Sequence, residues 1–183
     1  MKRLLSLVFA LALALSAVCC AAVAEKTFKT AYFTITLPSG WDFDTEDAEV
    51  YEDGDEYLGL FGEDKETGII VFTYKMYYED YKDVSLWNAD KAELDAYIED
   101  LLYEFSDDDP EYLGTVMAGR IPFVLIKGTD EDGEYLYAET MTNGHVIMFD
   151  CFVLDGDGEN QYPFTQKYMD KIKSILETFQ PVS

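Results

Sequence analysis

Cysteine and histidine are nearly missing from this chain, which has three of the first and one of the second. Cys19 and Cys20 stand in the N-terminal stretch read below as a leader. The remainder therefore keeps only Cys151 and forms no internal disulfide. One histidine and one cysteine are too few for the usual zinc ligand sets. Serine is sparse beyond the leader, with Ser39, Ser85, Ser106, Ser174 and Ser183. None lies in a Gly-x-Ser-x-Gly elbow, and His145, at a strand start beside a turn, has no oriented serine with which to build a triad. Neither Gly-x-x-x-x-Gly-Lys nor Gly-x-Gly-x-x-Gly is found, so nucleotide phosphates have no glycine-rich cradle. Bases are the other shortage. Thirteen face thirty-seven acids, for a net charge of −24. Such a surface repels phosphate backbones and anionic lipid, which argues against nucleic acid and peripheral membrane binding. Cations and basic partners remain.

What is abundant is apolar and aromatic. Hydrophobic residues make up 49% of the chain, with fourteen Tyr and twelve Phe, a composition that builds a core rather than a disordered polyanion. The first residues read as a signal peptide, residues 1–24. Lys2 and Arg3 precede the apolar run Leu4 to Val18, and Ala22-Val23-Ala24 offers small residues for cleavage. That run is about 15 residues, short of the roughly 20 that span a bilayer. The expectation is a secreted, extracytoplasmic chain beginning at Glu25, with no transmembrane anchor in its mature form. The alternative is a lipoprotein anchored through Cys19 or Cys20, although Val18 before Cys19 is not the small residue such sites favour.

Residues 25–183 show no repeat, linker or hinge and predict one domain. Tyr32 to Leu37 alternates as a half-buried strand and ends at Pro38-Ser39-Gly40. Short strands follow near Glu49–Glu52 and Glu56–Phe61, then a longer one from Ile69 to Tyr78. Between Asn88 and Phe105 the period changes. Leu94, Ile98, Leu101, Leu102 and Phe105 form one helical stripe, with Asp90 and Glu93 spaced as a capping pair. Four strands come next: Tyr112–Met117, Ile121–Lys127, Glu134–Thr142 and His145–Leu154. Asn143-Gly144 between the last two is a hairpin signal. A final helix is expected from Phe164 to Phe179. Adjacent strands with turn-length links imply an antiparallel sheet. Apolar residues on both sides of His145–Leu154 imply a strand buried on both faces. The fold class is α+β, an antiparallel β-sheet sandwiched between α-helices in an α/β/α arrangement.

Three stretches carry a family likeness: ITLPSGW at Ile35–Trp41, the Asn143-Gly144 hairpin into a long apolar strand, and SILETFQP at Ser174–Pro181. With the element order, they resemble the PsbP-like family, extracytoplasmic α/β/α domains named after an extrinsic photosystem II subunit. Small exported bacterial proteins belong to it. The resemblance implies a non-catalytic binding or assembly role, supplies no active site to transfer, and does not suggest photosynthesis here.

The chemistry-bearing candidates are acids. Asp155, Asp157 and Glu159, in Asp155-Gly156-Asp157-Gly158-Glu159-Asn160, are the metal candidates, since alternate carboxylates on a glycine-rich loop suit calcium. They depart from an EF-hand, with Asn160 where that loop needs glycine and Gln166 where it needs glutamate. Asp130-Glu131-Asp132-Gly133-Glu134 is a second acidic turn. Cys151, within Phe149-Asp150-Cys151-Phe152-Val153, reads as a buried small hydrophobe. Glu139 is the one candidate for a catalytic carboxylate pair, yet Tyr and Glu alternating on a solvent face account for it equally. The expected function is a secreted or cell-envelope non-enzymatic binding or assembly module that offers an acidic surface to a basic protein or envelope partner, with no cofactor. A calcium-binding extracellular protein using Asp155 to Glu159 is the alternative, and a carboxylate-dependent hydrolase the second.

Overall fold

The computed structural model describes residues 26–30, 32–38, 40–44, 49–50, 56–57, 61–64, 68–154 and 161–182. The leader and the metal candidates Asp155, Asp157 and Glu159 lie outside these residues. The described strands are β1 (Lys26–Lys29), β2 (Phe33–Leu37), β3 (Trp41–Asp44), β4 (Glu49–Val50), β5 (Glu56–Tyr57), β6 (Phe61–Asp64) and β7 (Ile69–Tyr77). After helix α1 (Lys91–Glu104) come β8 (Glu111–Ala118), β9 (Ile121–Thr129), β10 (Glu134–Thr142) and β11 (His145–Val153), then α2 (Gln166–Leu176) and β12 (Gln180–Pro181).

The main sheet runs β3-β6-β7-β11-β10-β9-β8, with β5 also pairing β7 and β4 pairing β5 off this path. Every pairing in it is antiparallel. β11 lies between β7, paired along His145–Val153, and β10, paired along His145–Cys151, and because layers pack on both faces of the sheet its sequence is apolar on both sides. The turn from β10 to β11 is Asn143-Gly144, with φ of 49° and 76°. Both residues tolerate positive φ, as a two-residue hairpin requires. A Cβ at Gly144 would sit 2.7 Å from the Tyr78 carbonyl oxygen.

Two layers cover the sheet. On one face α2 brings Ile172, Ile175 and Leu176 against Phe123, Leu125, Leu136 and Phe149. The rings of Phe33, Phe149, Phe123 and Phe179 form a closed circuit there, with centroids 5.0 to 5.9 Å apart. A second, smaller antiparallel sheet lies on this side. β2 pairs with β1 and β12, and the chain enters the main sheet only after Leu37, at β3. The Thr178 hydroxyl clasps β2 by accepting from the Thr36 N–H at 2.8 Å. Pairing between the chain's early and late segments is set by tertiary packing, which local alternation does not encode.

On the opposite face α1 buries Ile98 and Leu101 against Val124, Ile126, Tyr135 and Tyr137. Burial of each aliphatic side chain contributes roughly 1.5–3 kcal/mol. The helix begins where the capping pair predicts. The Asp90 carboxylate accepts from the Ala92 and Glu93 N–H groups at 2.8 and 3.0 Å, and Glu93 accepts from the Asp90 N–H at 2.8 Å. Replacing Asp90 with Ala orphans these donors and should cost about 1 kcal/mol in chemical denaturation. An unchanged midpoint would show that tertiary contacts alone hold the helix.

Candidate functional site

Beneath the C-terminal half of α1 the sheet is not fully covered, and a cleft of about 470 Å³ remains. Its floor comes from alternate residues of three neighbouring strands. β7 supplies Met76, β11 supplies Val146, Met148, Asp150 and Phe152, and β10 supplies Tyr135, Tyr137, Glu139 and Met141. The antiparallel register places Tyr137 opposite Asp150 and Glu139 opposite Met148. Glu139 and Asp150 are thus diagonal neighbours on one face, close enough for their charges to interact.

Glu139 is 5% exposed. Its Oε2 accepts a hydrogen bond from the Tyr137 hydroxyl, and its other oxygen has no donor among the described residues. Among the described residues no Lys, Arg or His lines the cleft. Loss of water, and secondarily the nearby Asp150 charge, push the Glu139 carboxyl up to about 8. Burial also raises Asp150 to about 6. The Tyr137 phenol is raised well above its ordinary value, first by burial and then by Asp150. Near neutral pH the floor therefore holds one proton and one negative charge on two neighbouring carboxyls.

The walls are aromatic and the rim is acidic. The rings of Phe105 and Tyr137 lie 4.8 Å apart, and those of Tyr135 and Phe152 lie 6.5 Å apart. Gly128, opposite Tyr135 in the ladder, lets that ring lie against the sheet, since a Cβ there would come within 2.3 Å of it. The Tyr135 hydroxyl then reaches the Asp108 carboxylate at 2.7 Å. Asp100, Glu104 and Asp130 complete the rim.

Glu139 is a correction to the sequence reading: it lies under α1 and not on a solvent face. A strand face of Tyr, Tyr, Glu and Met looks polar by composition, but tyrosine bodies are buried readily, and the helix stripe covers them. Asp150 was missed altogether. Its signal was present, because an acid within a strand expected to be buried on both faces must itself be buried.

The other candidates take ordinary roles. The acidic turn at Asp130 is held by its own side chain, which accepts from the Asp132 and Gly133 N–H groups at 2.9 Å each. Glu134 accepts from the Phe164 N–H at 2.8 Å. Among the described residues no group of three or more His, Cys, Asp or Glu is placed to hold a metal ion. Asp155, Asp157 and Glu159 are outside that search. Cys151 is fully buried, with its thiol raised by burial. The His145 ring packs 4.9 Å from that of Tyr77.

No protein-family model matches the sequence, and no curated protein matches it. Solved structures do. Cyanobacterial PsbP from Synechocystis is 12% identical, with 87% of this chain and 94% of that one covered and a TM-score of 0.46. A Bacteroides thetaiotaomicron protein is 14% identical over 86% of this chain, with a TM-score of 0.48. This chain spans about half, 48%, of that protein's length. Among the described residues no helix is long and apolar enough to cross a membrane.

Proposed function

We propose that this chain is a non-enzymatic, extracytoplasmic binding module whose ligand occupies the cleft between α1 and the sheet. The observation that carries this reading is the pair of buried Glu139 and half-buried Asp150 at the base of an aromatic-walled cavity, with no basic side chain beside them among the described residues. Buried acids without a compensating partner cost stability, so a site that retains two of them is a candidate for binding. A cavity of this size lies within the ordinary range for small-molecule sites. Export rests on the leader sequence, and the acidic exterior suits a protein that works among basic or cationic partners.

The methionines provide the test. Met76, Met141 and Met148 line the cleft, whereas Met117 is on the outer strand β8 and Met169 packs on the far face. With ¹³C-methyl methionine, a panel of small aromatic and aliphatic compounds of each charge should shift the first three signals and spare the other two. A panel that shifts none of the three, or all five alike, contradicts the reading.

A carboxylate-dependent hydrolase is the second reading. It is favoured by the separation between Glu139, near 8, and Asp150, near 6, because acid–base pairs need environments that hold one group protonated and the other charged. Turnover of chromogenic glycosides that disappears in both Glu139→Gln and Asp150→Asn would establish it in place of simple binding.

A further inference from the structure

We infer that the cleft selects small organic cations, an ammonium group carried on an apolar or aromatic body, with the ammonium seated between Glu139 and Asp150. The inference rests on the binding reading above and specifies its ligand class.

Three features of the cavity act in the same direction. The first is sign. Asp100, Glu104, Asp108, Asp130, Glu139 and Asp150 all line it, with no basic side chain among the described lining residues, so an anion meets repulsion at the rim and at the floor. The second is an unused acceptor at depth. Glu139 is almost wholly buried, Tyr137 occupies one of its oxygens, and the other has no donor among the described residues. An ammonium seated there pairs with the Asp150 carboxylate and displaces the Glu139 proton to solvent, so that the freed Glu139 oxygen accepts an N–H in a charge-assisted hydrogen bond, stronger than a neutral donor would make. The third is the wall. Phe105, Tyr135, Tyr137 and Phe152 supply rings, and Met141 and Met148 supply polarizable surface. Aromatic rings attract ammonium groups through their quadrupoles and also bury an apolar body.

The same features disfavour the other cations. Calcium takes six to eight oxygen ligands at short range, whereas the floor offers two diagonal carboxyls among rings and thioethers. A basic peptide would meet the rim acids, but only one side chain at a time reaches the floor, and the apolar walls then go largely unused.

Calorimetry with three probes of similar size and different charge tests this, phenethylamine, phenethyl alcohol and phenylacetate, with trilysine added as a basic peptide. Phenethylamine should bind at least roughly tenfold tighter than phenethyl alcohol, and phenylacetate should not bind. Glu139→Gln keeps an acceptor for Tyr137 and should lower phenethylamine affinity by roughly tenfold while leaving the alcohol unchanged. Circular dichroism confirms that the variant is folded, and Asp150→Asn provides a second arm if it is not. Equal binding of amine and alcohol, or preference for phenylacetate, overturns the cation inference but leaves the cleft a binding site. Tighter binding of trilysine than of phenethylamine overturns the small-molecule assignment. If no probe binds and the methionine signals also stay fixed with the wider panel, both the inference and the binding reading fall.

Discussion

Raising the pH from about 4.5 to about 8.5 should lower the melting temperature of the wild-type protein by on the order of 10 °C, and Glu139→Gln should lose most of that dependence. The sign follows from the direction of the shift. Glu139 has a folded value of about 8 against an ordinary 4.5. Between those values the unfolded chain has released its proton while the folded chain still holds it. The favourable contribution is therefore complete below the lower value, shrinks as the pH rises, and is gone above the higher one. The full span corresponds to roughly 4 kcal/mol. Asp150 adds a second decline at lower pH, up to about 6. Because the two groups interact, the steps belong to the pair. Glutamine carries no charge at any pH, so the variant should be the more stable protein at about pH 9, by up to roughly 4 kcal/mol. Work near 1 M salt screens the many surface acids, whose mutual repulsion also grows with pH. Parallel curves for the two proteins would mean that Glu139 is solvated in the folded state.

Phe123→Ala should destabilise by about 3–5 kcal/mol, enough to lower the melting temperature by on the order of 10 °C. Phe123 is 0% exposed, and its ring meets both Phe149 and Phe179, at 5.8 and 5.0 Å. It lies on β9, while Phe33 belongs to β2 and Phe179 to the segment between α2 and β12. Removing the ring opens a cavity where the main sheet, the small sheet and the end of the chain meet. Tyr103→Ala is the matched control. That side chain is 82% exposed, and its loss should change stability by no more than about 0.5 kcal/mol. A Phe123→Ala cost below about 1 kcal/mol would show that the four rings do not form the packed junction described.

Much of the architecture was legible in the sequence because it follows from local chemistry. Alternation from Ile69 onward marks β7, the positive φ tolerated by Asn143 and Gly144 marks the last hairpin, and Asp90 with Glu93 marks the start of α1. The final helix is shorter than its apolar stripe suggested, spanning Gln166–Leu176. Phe164 and Phe179 continue the apolar pattern on either side as buried core residues without being helical. The small sheet was not legible, because Gln180 and Pro181 meet Thr34 and Phe33 only after the rest of the chain has packed.

The candidate site was half legible. Glu139 stood out as a mid-strand acid, but its surroundings depend on which sheet face α1 covers and how far along it the helix extends. Those are packing outcomes. Asp150 was concealed by its neighbours: Phe149 and Cys151 face the α2 side while Asp150 and Phe152 face the cleft, so the run reads as uniformly apolar although one face carries a charge. Composition pointed to the acidic exterior, whereas the structure directs attention to two acids beneath it.

The most direct measurement is a ¹³C titration of the Glu139 side-chain carboxyl in the folded protein. A midpoint near 8, with an Asp150 step near 6, is expected if both groups lie dry at the floor of the cleft. Midpoints for both in the ordinary carboxylate range, near 4, would mean that water reaches them freely and that the cleft is not the enclosed acidic site described.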